Sequence, residues 1–226
     1  MLEYDAMPVL PEGEFVLPLF PLPDLVFFPN TRMPLHVFEP RYRQMITDAL
    51  ETDHRFGIVL LRPGWQNDYY GAPPIHPLGT IGTIEQAVPL EDGKFNILVR
   101  GDFRFRVLDE VSRVPYRTAR VVARPESLRE LHEAYAQREW LADLAQQYLH
   151  YLPNQMPVPE IDTVGLEPLT NALIMSLNLD SEEKQKLLEI DDVIHRAEQI
   201  GNELSSRIET LRFLKPFRRG EDPNHN

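Results

Sequence analysis

The 226-residue sequence contains no cysteine, which excludes disulfides, thiolate zinc sites and cysteine nucleophiles and leaves the redox compartment open. It has no apolar run near the roughly 20 residues a membrane helix requires. Its N-terminus, MLEYDAMPVLPEGE, has no basic start leading into an apolar signal core, so a cytoplasmic location is the default expectation. Lysine is scarce, limited to Lys94, Lys184, Lys186 and Lys215. The phosphate-loop pattern fails at Gly93-Lys94, because Val88 stands where its first glycine should be and Phe95 follows the lysine. A serine–lysine nucleophile fares no better, since Ser181 and Lys184 fall on a polar helix start that capping accounts for. The seven histidines form no H-x-x-x-H pair, so no metal and no cofactor are expected. Neither internal repeats nor low-complexity tracts occur.

What is present is a 42% hydrophobic composition, enough for a substantial core, and a formal net charge of -12. The acidity opposes non-specific attraction to nucleic acid or anionic lipid. It is also uneven. Residues 94–124 carry eight Lys or Arg against three Asp or Glu, whereas residues 126–210 carry six against seventeen. Two solvated faces of opposite sign account for this more simply than a dedicated anion site.

The chain is organised around residues 15–41, FVLPLFPLPDLVFFPNTRMPLHVFEPR. Its prolines fix φ and remove backbone donors, so it runs as short extended pieces. Phe15, Leu17 and Leu19 alternate toward one face, and Met33, Leu35 and Val37 repeat the pattern. Pro40 then opens a short amphipathic helix over 40–52, with Tyr42, Met45, Ile46 and Ala49 at helical spacing. RFGIVLL at 55–61 reads as a strand buried on both faces. Residues 62–78, with two glycines, four prolines and three aromatics, predict a long loop. From 79 to 124 the alternation predicts an antiparallel meander with a hairpin turn at Gly93, in which Phe103, Phe105 and Val107 point inward. Beyond Pro125 the period becomes helical, predicting helices over 127–150 and 164–177, a third ending near Ile190, and a fourth capped by Asp191. The third starts with a capping-box-like Asp180 and Glu183.

Several of these pieces carry a resemblance. Leu17-Pro18-Leu19-Phe20-Pro21-Leu22, Phe28-Pro29 and Pro34-Leu35-His36-Val37-Phe38-Glu39-Pro40-Arg41-Tyr42 come first. Gly79-Thr80-Ile81-Gly82-Thr83-Ile84, Asn96-Ile97-Leu98-Val99-Arg100-Gly101 and Arg104-Phe105-Arg106-Val107 follow in order. Together they closely resemble the LON substrate-binding domain, the N-terminal module of Lon proteases, which also occurs alone and within cereblon. The resemblance spans residues 15–214. It implies an α+β architecture: a β-rich, PUA-like, partly closed barrel over 15–124 and a helical subdomain over 125–214. Residues 1–14 and 215–226 are expected to be flexible ends. It further implies a non-enzymatic protein that binds exposed apolar segments of unfolded or tagged polypeptides, in quality control or alongside a protease or chaperone.

Candidate contact residues follow from residue type. Trp65, Tyr69 and Tyr70 sit in the proline-pinned loop and are best suited to anchor a polypeptide, or else to lie back as a lid over the protein's own core. Arg100, Arg104 and Arg106 lie on one side of adjacent strands, and a PUA-like fold could use such a stripe for RNA. Fold alone does not decide between these functions, and a purely structural docking domain is the third possibility. His36 is expected to make a structural hydrogen bond, and Glu39 and Arg41 to pair around Pro40.

Overall fold

The computed structural model describes residues 10–69, 71–128, 131–151 and 164–218. Six strands form one sheet: β1 (Glu14–Leu22), β2 (Arg32–Val37), β3 (Arg55–Leu60), β4 (Leu78–Pro89), β5 (Phe95–Ser112) and β6 (Arg117–Ala123). Their order is β2-β5-β4-β3-β1-β6, and β6 also pairs with β5. Five strands therefore close on themselves, with β2 attached outside the ring, as the partly closed barrel required. Among the six described strands only β1 and β3 pair in parallel, because helix α1 (Pro40–Leu50) and β2 intervene between them.

Closure depends on the 18-residue β5. Its first half, Phe95 to Arg100, pairs with β2, and its second half, from Phe105, pairs with β6 along the same edge. The strand changes partner at Gly101, whose N–H donates to the Thr31 carbonyl and whose own carbonyl accepts from Asn30 N–H. A Cβ at Gly101 would lie 2.2 Å from the Phe28 carbonyl oxygen, so only glycine permits this approach.

The alternation read from the sequence sets two apolar clusters. Leu17, Leu19, Val59, Ile81, Phe103, Phe105, Ala119 and Val121 come from all five ring strands and fill the barrel. Phe20, Phe27, Met33, Val37, Phe56, Ile58, Ile84, Ile97 and Val99 pack with Tyr42, Met45, Ile46 and Ala49 of α1. Gly93 takes φ 75° in the β4–β5 turn, as the hairpin required.

The chain divides into two compact units. The first holds the described residues up to Glu126 together with Ile174–Asp191, so α4 (Ser181–Glu189) belongs with the strands. Its capping box is present: Asp180 accepts from Glu183 N–H while the Glu183 carboxylate accepts from Asp180 N–H.

The second unit contains α2 (Leu131–His150), most of α3 (Leu166–Ser176) and α5 (Val193–Arg218). Within it α2 and α5 run parallel, since Ser127 bridges Asp192 at one end and Arg212 reaches Gln147 and Tyr151 at the other. Val193, Ala197, Ile200, Leu204 and Ile208 form the buried stripe of α5. The cap of α5 is Asp192, which accepts from the N–H groups of Ile194 and His195. Asp191 is instead held by arginines, which corrects the expected assignment. α5 also continues through Arg218, past the expected start of the tail at Lys215. Of the flexible start expected over residues 1–14, residues 1–9 lie outside the described residues and Glu14 already opens β1; the proline connector over 153–159 and the last eight residues also lie outside them.

Candidate functional site around Glu39 and Arg41

The site starts where β2 hands over to α1. Glu39 is the N-cap residue in extended conformation and Pro40 occupies the first turn, but the Glu39 side chain makes no cap bond. It faces Arg41, whose Nε donates to Glu39 Oε2 at 3.1 Å. The local pair expected from the sequence is thus formed, and it also serves a residue 30 positions away. Tyr69 donates its hydroxyl to Glu39 Oε1. Arg41 Nη2 donates to the Tyr69 carbonyl at 3.4 Å, and the Arg41 guanidinium lies 5.4 Å from the Tyr69 ring centroid and 4.7 Å from that of Tyr42.

The loop that delivers Tyr69 is a closed excursion. Arg62 N–H donates to the Pro74 carbonyl, His76 N–H donates to the Leu60 carbonyl, and Leu61 bridges Ile75, so both ends are zipped. Inside it Trp65–Asp68 forms a single 3-10 turn entered through Gly64, where the sequence predicted no regular structure. Trp65 packs edge-on against Tyr69 with centroids 5.4 Å apart, and both are half-buried. Tyr70 lies outside the described residues.

Around this cluster apolar surface remains open. Phe38, 57% exposed, lines a shallow groove with Glu39, Pro40 and Arg41. His36 lies beside Phe38 with ring centroids 6.1 Å apart and pairs across to β5, its Nδ1 lying 2.7 Å from Asn96 Oδ1. Burial pushes the Tyr42 hydroxyl up to about 12. Burial and the bond to Glu39 raise Tyr69 as well, so both phenols stay protonated near neutrality.

The three arginines do not form an exposed stripe. The Arg104 side chain is 0% exposed. Its Nη1 donates to the carbonyls of Leu188 and Ile190, and its Nη2 to the Pro125 carbonyl and Asp191. It therefore satisfies backbone acceptors at the C-terminus of α4. The strand alternation placed Arg104 outside the barrel correctly, but α4 covers that face. Gln185 of α4 donates to the Leu78 carbonyl, and His76 lies 3.1 Å from Glu182. Arg100 is paired with Glu85 and Asp102, and Arg106 is exposed.

The sequence did not point to Arg117 as part of this region. It holds Glu110 through Nε and Nη2 and donates Nη1 to the Pro73 carbonyl at 2.9 Å. Glu110 lies seven positions from Arg117 across the β5–β6 turn and Pro73 lies 44 away, a combination that no single local spacing marks. Among the described residues no cluster of His, Asp and Glu could hold a metal, and no helix is long and apolar enough to cross a membrane.

Comparison with known proteins agrees with this architecture. The family model of the ATP-dependent protease La (LON) substrate-binding domain matches residues 16–206. Lon protease 2 of Myxococcus xanthus is 31% identical over 205 residues, covering 88% of this chain but 24% of that protease. Lon protease of Anaeromyxobacter dehalogenans is 29% identical with the same coverage. The chain thus spans about a quarter of the length of these curated relatives, and the match does not extend into the remainder. Among solved structures, the Lon N-terminal domain protein from Xanthomonas campestris aligns with a TM-score of 0.60 at 28% identity, covering 82% of this chain and 96% of that one. The N-terminal domain of Mycobacterium avium complex Lon protease shares the fold, with a TM-score of 0.68 at 18% identity, covering 84% and 98%. By the extent of the family match and the shared barrel, this chain belongs to the LON substrate-binding domain family.

Proposed function

We propose that the chain is a non-catalytic recognition protein for exposed apolar segments of unfolded or tagged polypeptides, working as an adaptor in degradation beside a protease or chaperone. Family membership supports the general class. The observation that carries the finer statement is the open aromatic surface beside Arg41, where Phe38 is 57% exposed and Trp65 half-buried. An acidic chain draws little on charge to capture a generic polypeptide, so apolar contact is the available driving force. Trp65 is seated on Tyr69, which is itself fixed by Glu39 and Arg41. That fixation lowers the ordering cost of using the surface.

The test is the double substitution Phe38→Ala with Trp65→Ala. It is expected to weaken binding of a permanently unfolded polypeptide by about 1 to 3 kcal/mol, the usual effect of truncating interface anchors, with little change in melting temperature. Titration calorimetry and a thermal melt measure the two quantities. Unchanged binding would place the recognition surface elsewhere, and lost stability would make these residues part of the fold's own cover.

A further inference from the structure

β2 is an edge strand. Among the described residues it pairs with β5 alone, and the phase of its ladder says which backbone groups are left over. Gly101 N–H donates to the Thr31 carbonyl at 2.9 Å, and in an antiparallel ladder every second residue from there bonds to the same neighbour. Met33, Leu35 and Val37, opposite Val99, Ile97 and Phe95, therefore turn their N–H and C=O groups to β5. Pro34 and His36 turn theirs away. Pro34 fits this phase, because a proline has no N–H for a ladder and is tolerated on the free side of an edge strand. The open edge thus carries the Pro34 carbonyl and both backbone groups of His36. The His36 ring does not fold over them, since it reaches across to Asn96 of β5.

The sheet itself shows what fits beside such an edge. β6 and β2 lie end to end along one side of β5, β6 against residues 105–112 and β2 against residues 95–100. The outer edge of β6 is covered by β1 from Glu14 to Leu19, and no described strand continues that lane beside β2. The shape that fits the lane is one extended strand. A second copy of β2 suits it poorly, because an antiparallel pair of copies brings two prolines to one short edge and misses two bonds. A strand from another polypeptide misses one. The lane also runs on into the recognition surface proposed above: the Pro34 and His36 side chains are exposed, and Phe38, the next in their row, is 57% exposed.

We infer that a bound polypeptide adds to the sheet as an extended strand along β2, its backbone bonded at Pro34 and His36 and its apolar side chains packed at Phe38. The inference rests on the polypeptide-recognition reading above. It narrows the substrate class to segments that are extended and have free backbone N–H groups. Main-chain bonding gives affinity without reading side chains, which suits a receptor for many different unfolded chains.

Amide hydrogen exchange followed by NMR tests it, with a peptide that alternates valine and serine as the probe. In the free protein the Leu35 and Val37 N–H groups are expected to be protected by β5 and the His36 N–H to exchange openly. Saturating peptide is expected to slow exchange at His36 by about tenfold or more. A second peptide, N-methylated at two adjacent central residues, loses an N–H from each of its edges but none of its apolar surface. It is expected to bind about tenfold more weakly, the effect of losing one or two backbone bonds. Peptide that binds while His36 exchange stays unchanged, or equal affinity for the two peptides, overturns strand addition and leaves polypeptide recognition standing. A His36 N–H already protected in the free protein also overturns it, because the edge is then occupied by the chain itself or by a second copy. If neither peptide binds at any concentration reached, polypeptide recognition and strand addition fall together.

Discussion

Arg104 and Phe105 are consecutive on β5 and both are enclosed, but for different reasons. Phe105 fills the barrel with Leu17, Val59, Ile81 and Val121. Arg104 points the other way and is enclosed by α4 and its following residues. Period-two alternation revealed the first burial, because it is a property of the strand itself. It could not reveal the second, because the covering helix lies some 80 positions away. Phe105→Ala is expected to cost about 3 to 5 kcal/mol through the cavity it leaves, measured by denaturant unfolding; a loss near zero would mean the barrel interior is not packed on this ring. Asp191 gives a pH-dependent counterpart. Burial alone would raise its carboxyl, but the Arg124 and Arg104 guanidiniums outweigh burial and hold it below the usual carboxylate range. A depressed folded value contributes stability above the unfolded value near pH 3.9, and that contribution is lost as pH falls through the lower folded value. Asp191→Asn is therefore expected to be destabilised near neutrality and to approach the wild type at more acid pH. A difference that stays constant into acid would contradict the role of the two arginines.

At the scale of elements, helices with strong local signals were the most legible. The Asp180–Glu183 capping box and the apolar stripe of α5 are written in adjacent residues, and both formed. The one-residue error at Asp191 and Asp192 has a physical cause. Either carboxylate could cap α5, but Asp191 is claimed by Arg104 and Arg124, leaving Asp192 for the Ile194 and His195 N–H groups. Tertiary competition of this kind leaves no trace in a local window. The contact of α2 with α5 likewise rests on a position that periodicity does not mark. A Cβ on Gly201 would lie 2.0 Å from the Trp140 ring. Gly201→Ala is expected to destabilise the helical unit by about 1 to 3 kcal/mol through overpacking, despite the better helix propensity of alanine. Thermal melts of the single variant and of Gly201→Ala with Trp140→Leu measure this, and a single variant as stable as the wild type would show that the indole simply moves aside.

For the whole molecule, the order of strands and the change of pairing partner at Gly101 bring β2, α1 and the 62–74 loop to one place. The motif around Glu39 and Arg41 was visible in the sequence, and so was the concentration of aromatics in the loop. Their junction was not, because Tyr69 meets Glu39 only after β3 has been laid beside β1. Arg117 arrives by a third route, from the far end of β5 and β6. Recognition of polypeptide at this junction is the central claim, and chemical-shift mapping tests it most directly. An unlabelled, permanently unfolded polypeptide is titrated into the isotope-labelled protein, and backbone and indole resonances are followed. The expected result is saturable shifts concentrated at residues 36–42 and 62–73, including the Trp65 indole, with the α2 and α5 resonances unmoved. Shifts confined to the helical unit, or none at saturating polypeptide, would contradict it.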